Sequence, residues 1–181
     1  MPERAGRSAR RPGAILPVGK RAAAPDPVAD STGGSELWLC PRCGHRFVSA
    51  NLWHSCSRFT LDEAFARSTP EARSGFERFV ALIERCGPVV VIPQKTRIVL
   101  MARVRFAGCK VRRDHVLATI ALTRRVDHPR WTQVEEVAPG WIAHRFPIRG
   151  PEDLDDPELH PLLCEGYRQH GEQRKLVGRR R

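Results

Sequence analysis

Residues 40 to 56 read CPRCGHRFVSANLWHSC and gather three of the chain's six cysteines, with two histidines, into seventeen positions. A stretch this short cannot bury a hydrophobic core of its own. Its fold therefore has to come from something other than apolar burial. Cys40-Pro-Arg-Cys43-Gly44 has the C-x-x-C-G form of a metal knuckle. The two-residue gap lets both thiolates reach one ion, and glycine permits the tight turn behind them. Ten residues later come His54 and Cys56, far enough along for the chain to turn and return. Cys40, Cys43, His54 and Cys56 thus make a Cys3His tetrahedral set suited to zinc. Binding the ion would contribute on the order of 10 kcal/mol of folding free energy. Four protein ligands leave no open position, so the expected role is structural. His45 follows the knuckle glycine directly and is the competing fourth ligand. The two-Cys-two-His finger fits poorly, because no second histidine follows at the right distance. Cys86, Cys109 and Cys164 are scattered singly and suggest no disulfide framework, which makes a reducing cytoplasm the default compartment.

Four segments are expected. Residues 1–35 are rich in Pro, Ala, Gly and Arg without periodicity and read as a disordered basic leader. Residues 36–58 are the zinc knuckle, 59–171 an α+β domain, and 172–181 a basic tail. No run of about eighteen apolar residues occurs, so no membrane span is expected.

Within the domain, Thr60-Leu-Asp-Glu63 is a capping box that opens a short helix. Thr69-Pro70-Glu71 opens a longer one whose apolar stripe is Ala72, Phe76, Phe79, Val80 and Ile83, ended by Cys86-Gly87-Pro88. A short strand, VVVIP, follows, and then one long strand over Arg97–Phe106 with every even position apolar. Val116, Ala118, Ile120 and Leu122 mark another strand, and residues 132–137 and 141–148 a hairpin around Pro139-Gly140. Asp156-Pro157-Glu158 opens a last helix bearing Leu159, Leu162, Leu163 and Tyr167. The fold class is α+β: a knuckle, a helix, an antiparallel β-meander and a C-terminal helix, with helices covering one face of the sheet.

The net charge of +11 is unevenly placed. Between Lys95 and Arg125 stand nine basic residues and one acid; between Val126 and Glu165 stand three basic residues and nine acids. In a single strand over 97–106, Lys95, Arg97, Arg103 and Arg105 share one parity and line an outward face, with Val99 and Met101 between them. Such a face, with Thr96 and Arg113 beside it, would contact the phosphates of DNA or RNA. The opposing reading pairs these cations with the acidic C-terminal third as a solvated face. His144, between Ile142 and Phe146, reads as a core histidine; Trp131 and Trp141 read as anchors or as base-stacking residues.

No glycine-rich phosphate loop, G-x-S-x-G or H-E-x-x-H is present, and Gln94-Lys95 lacks the spacing of a restriction-type carboxylate-x-lysine pair. Three functions follow from the residues: a non-catalytic nucleic-acid binder, a hydrolase of a phosphate-containing substrate near Lys95, Arg97 and His144, and a protein-interaction module.

The stretches WLCPRCGHRFVSANLWHSC, FERFVALIERCGPVVVIPQKTRIVLMARVRFAG and VDHPRW resemble an uncharacterised bacterial family designated only as domain of unknown function 5655. The resemblance spans about residues 38–170 and rests most on the knuckle and on PQKTR, with Cys40, Cys43, His54, Cys56, Lys95 and Arg97 at the matching positions. It implies a compact α+β domain, in some members fused to restriction-type nuclease domains, and transfers no catalytic residue.

Overall fold

In the computed structural model, residues 37–48, 50, 54, 56 and 59–173 are described. The expected leader and nearly all of the basic tail lie outside them.

Local signals set the first helices. In α1 (Leu61–Phe65), the Thr60 hydroxyl accepts from the Glu63 N–H at 3.1 Å, and Glu63 Oε2 accepts from the Thr60 N–H at 2.8 Å. In α2 (Pro70–Glu84), Thr69 caps the Ala72 N–H and Pro70 occupies the first turn, where no N–H partner is needed. Ala72, Phe76, Phe79, Leu82 and Ile83 form its buried stripe. Gly75 lets this helix approach the sheet closely: a Cβ there would stand 2.7 Å from Ile148 Cγ2 and 3.2 Å from the Gly150 backbone.

A six-stranded antiparallel sheet follows, made of β3 (Val90–Pro93), β4 (Ile98–Met101), β5 (Arg105–Val111), β6 (Val116–Leu122), β7 (Gln133–Ala138) and β8 (Trp141–Ile148). Its order is β3-β4-β5-β6-β8-β7. It is therefore not a simple meander: the chain passes the position beside β6, forms the edge strand β7, and returns as β8 to pair with β6. A 3-10 turn (Pro151–Leu154), α3 (Leu159–Gly166) and a π-helical turn (Tyr167–Gly171) complete the domain. α2 and α3 cover one sheet face, burying Phe79, Ile83, Leu159 and Leu163 against Ile98, Leu100, Ile120, Phe146 and Ile148. The α+β class stands.

Two expectations change. The long strand over 97–106 is broken, because β4 stops at Met101 and the chain turns over Ala102–Val104. The N–H groups of Arg103 and Val104 donate to the Gly171 carbonyl, at 2.8 and 2.9 Å, which holds that turn to the C-terminal segment. The parity argument that placed Arg97, Arg103 and Arg105 on one face therefore fails. β4 is also buried on both sides, since Val99 and Met101 lie under the knuckle rather than in solvent.

The second change concerns the cysteines. Cys86, just past α2, and Cys164, on α3, form a disulfide across 78 residues, with Cα atoms 5.1 Å apart. Single cysteines far apart in sequence meet because both helices pack side by side on the same sheet face.

Candidate metal centre and basic sheet end

The knuckle is a two-stranded ribbon, β1 (Trp38–Leu39) and β2 (Arg46–Phe47), joined by the turn at Cys40–Gly44. Gly44 takes φ +71°, and its N–H donates to the Cys40 carbonyl at 2.9 Å. This turn folds Cys43 back beside Cys40. Cys56 also adopts a left-handed conformation, φ 48°. The ligand atoms of Cys40, Cys43, His54 and Cys56 all lie within 4.8 Å of one another, so the four can hold one metal ion. His54 Nε2 stands 3.2 Å from the Cys40 sulfur, 3.2 Å from that of Cys43 and 3.1 Å from that of Cys56; the Cys40 and Cys56 sulfurs are 3.9 Å apart.

Electrostatics prepares Cys40 to lose its proton. Burial pushes its thiol up, but backbone hydrogen bonds from Arg42 and Cys43 and side-chain bonds from Cys43 and His54 outweigh that, bringing it down to about 6. Cys43 is held up by burial and by the neighbouring sulfurs. Burial, and then the nearby His54, lower the proton affinity of His45, and it takes no place in the cluster.

The knuckle rests on the sheet. Phe47 packs against His54 at 4.4 Å between ring centroids, and Cys40 and Phe47 share a buried cluster with Ile92, Val99 and Met101. The ribbon thus covers the face of β3 and β4 opposite the helices.

The predicted phosphate-contacting residues separate into two groups. Lys95, Thr96 and Arg97 lie in the β3–β4 turn, and Arg113 lies in the β5–β6 turn; all four are exposed. Because Ile98 pairs with Cys109 across antiparallel strands, these two turns sit at the same end of the sheet. Exposed Lys110 and Arg112 join them there, residues that sequence parity did not single out. Arg103 and Arg105 are at the other end of β5, about 17 Å from Lys110 at 3.3 Å per residue.

The acidic C-terminal third does form ion pairs, but with other cations: Arg124 with Glu165 at 2.8 Å, Arg130 with Asp153 at 2.7 Å, and Arg145 with Glu135 at 2.8 Å. Arg78 and Arg149 also reach Asp155 and Asp153. Among the described residues, Lys95, Arg97, Lys110, Arg112 and Arg113 have no acidic partner within 4.0 Å. The Arg97 Nε–H donates to the Gln94 side-chain oxygen at 3.0 Å, and the Arg97 carbonyl accepts from the Gln94 N–H at 2.8 Å.

His144 is fully buried opposite Ile120. Its Nε2 accepts from the Val126 N–H at 3.1 Å, so Nδ1–H donates to the Ile142 carbonyl at 3.2 Å. Burial lowers its proton affinity. It lies on the row of Leu100, three strand spacings or about 14 Å across the sheet. Lys95 and Arg97 lie beyond the end of β4, so the three residues of the hydrolase reading do not converge. Trp131, half-buried, packs against His144 and Phe146 at the edge of the core, and Trp141 meets the His170 ring at a 43° tilt with centroids 4.3 Å apart.

No curated protein and no solved structure gives a match. A family model described as Domain of unknown function (DUF5655) matches residues 62–170, which begins after the knuckle and ends within the π-helical turn. The knuckle thus lies outside the matched stretch, while the sheet, both major helices and the basic turns lie inside it. On that match the chain belongs to the DUF5655 family.

Proposed function

We propose that this is a zinc-stabilised, non-catalytic nucleic-acid-binding protein of the cytoplasm, with zinc at Cys40, Cys43, His54 and Cys56 and phosphates at the basic end of the sheet. Three sulfurs and one imidazole nitrogen are a donor set that favours zinc. Zn–S bonds of about 2.3 Å in a tetrahedron place sulfurs about 3.8 Å apart. The Cys40–Cys56 separation of 3.9 Å is consistent with that spacing. The zinc has no catalytic position to offer, since all four sites are filled from the chain.

One observation carries the binding reading. Five exposed cations, Lys95, Arg97, Lys110, Arg112 and Arg113, cluster on adjacent turns with one acid among them, Asp114, which pairs with His115, while Glu135, Asp153 and Glu165 are engaged with other arginines. Solubilising charge is normally interspersed with opposite charge. A cluster of five cations with one acid on two adjacent hairpin turns is suited to a polyanion. Arg103 and Arg105, about 17 Å away along β5, would meet a second stretch of the same backbone.

The test is a salt-dependent binding titration of the full chain against duplex DNA, single-stranded DNA and RNA, beside a variant with all five cations replaced by Gln. The tails are common to both proteins and cancel. Each lost phosphate contact flattens the plot of log affinity against log salt by about 0.7 to 0.9, so five contacts amount to about 3.5 to 4.5. An unchanged slope would leave any binding to the tails and refute the sheet-end reading.

A further inference from the structure

Outside the knuckle, the described residues contain one other close group of metal-binding side chains: Cys86, His160 and Cys164. His160 and Cys164 are four apart on α3 and therefore share one face, one turn from each other. Cys86 reaches them from the turn that ends α2, where its N–H donates to the Ile83 carbonyl at 2.9 Å. His160 Nε2 stands 3.8 Å from the Cys86 sulfur and 3.5 Å from the Cys164 sulfur. All three residues are half-buried, open to solutes on one side.

A disulfide bond alone does not call for an imidazole nitrogen facing both sulfurs. In a tetrahedral zinc site, bonds of about 2.3 Å to sulfur and about 2.05 Å to nitrogen put an N···S edge at about 3.5 Å. The distance to Cys164, 3.5 Å, equals that edge, and the distance to Cys86, 3.8 Å, is slightly longer. The scaffold behind the donors is independent of the S–S bond: Leu82, Ile83, Leu162 and Leu163 belong to the main core. With the Cα atoms of Cys86 and Cys164 5.1 Å apart on that scaffold, side-chain rotation alone can bring the two sulfurs to the spacing of about 3.8 Å that a tetrahedral zinc requires.

We propose that Cys86, His160 and Cys164 form a second, redox-gated metal site: closed as a disulfide, and in the dithiol state a three-donor zinc site with an open fourth position. The gating step is thiol–disulfide exchange with a dithiol reductant. The reductant's two sulfurs give up two electrons and two protons and join as a cyclic disulfide; the Cys86–Cys164 bond breaks and each sulfur takes one proton. Zinc then binds the two thiolates and His160, and those two protons are released to solvent. The fourth position takes water or an exchangeable donor, which separates this site in kind from the closed knuckle. The buried Cys109 thiol, pushed up to about 12 by desolvation, does not compete for the ion. In a reducing compartment the zinc form is the resident one, which reconciles an intramolecular disulfide with a cytoplasmic protein.

The experiment counts zinc on the full chain by native mass spectrometry. Protein is either oxidised or treated with dithiothreitol, freed of reductant without air, and equilibrated with zinc sulfate. Expected are one zinc per oxidised chain and two per reduced chain. Reduced His160→Ala should hold one, and reduced Cys43→Ser should keep the site that depends on His160. His160→Ala retains the disulfide, so its oxidised form serves as the folding control by circular dichroism. Equal zinc content in both redox states of the wild type, or two zinc ions in reduced His160→Ala, would overturn the proposal. Failure of the knuckle assignment alone is distinguishable: it would leave one zinc that still requires reduction and His160.

Discussion

Breaking the Cys86–Cys164 link should lower stability by an amount its position sets. The bond closes a loop with a sequence separation of 78 residues, running from the end of α2 through the whole sheet to α3. In the chain-entropy account, closing a loop of that size removes about 15 cal/mol/K from the unfolded ensemble, or about 4.5 kcal/mol at 25 °C, just above the usual range of about 2 to 4. The perturbation is the Cys86→Ser/Cys164→Ser double variant, compared with oxidised wild type, both with zinc in the knuckle. Serine is nearly isosteric, and the half-buried flank tolerates its hydroxyl, so packing loss is small beside the entropy effect. Urea unfolding followed by tryptophan fluorescence should show a lower midpoint; at a slope of about 2 kcal/mol/M, a loss of about 4.5 kcal/mol moves it by about 2.2 M. Thiol titration of oxidised wild type, denatured and freed of zinc, should count the four free cysteines, Cys40, Cys43, Cys56 and Cys109, before reduction and six after. Coincident midpoints, or six thiols without reductant, would refute the reasoning.

Two further predictions concern the core. His144 and His170 are both held below the ordinary histidine range by burial, so the unfolded chain binds protons more readily than the folded one; stability contributed by the neutral rings is present above pH 6.5 and declines as pH falls below it. The urea midpoint should therefore drop between pH 7 and pH 5, and a flat profile over that window would contradict the buried, neutral assignment. Gly75→Ala forces a Cβ to within 2.7 Å of Ile148 Cγ2 and 3.2 Å of the Gly150 backbone, and should cost about 1 to 3 kcal/mol through displacement of α2, read as a fall in Tm.

Local chemistry was the most legible part of this sequence. The capping residues Thr60 and Thr69, the stripe from Ala72 to Ile83, and the knuckle spacing act over a few residues, and each appears in the structure, with Leu82 buried in the stripe and Val80 only half-buried. What sequence reasoning missed was set by distant contacts. The turn at Ala102–Val104 contains no Gly, Pro, Asn or Asp; it exists because the Gly171 carbonyl accepts from two of its N–H groups. Val99 and Met101 carried the right alternation for an exposed face, yet the knuckle covers that face. Alternation cannot reveal a second cover supplied by another part of the chain. Cys86 and Cys164 lacked any spacing signal, because only the packing of α2 against α3 joins them. Lys110 and Arg112 were overlooked for a related reason: the register of β4 on β5, not parity within one strand, brings the two basic turns together.

Zinc binding by Cys40, Cys43, His54 and Cys56 is the central proposal, and X-ray absorption at the zinc edge tests it most directly. The sample is the zinc-loaded full chain, kept oxidised so that Cys86 and Cys164 cannot bind metal. The account predicts three sulfur neighbours at about 2.3 Å and one nitrogen neighbour at about 2.0 to 2.1 Å, with the nitrogen contribution surviving in His45→Ala and lost in His54→Ala. A shell of oxygen and nitrogen alone, or one unchanged in the Cys40/Cys43/Cys56 triple serine variant, would contradict it.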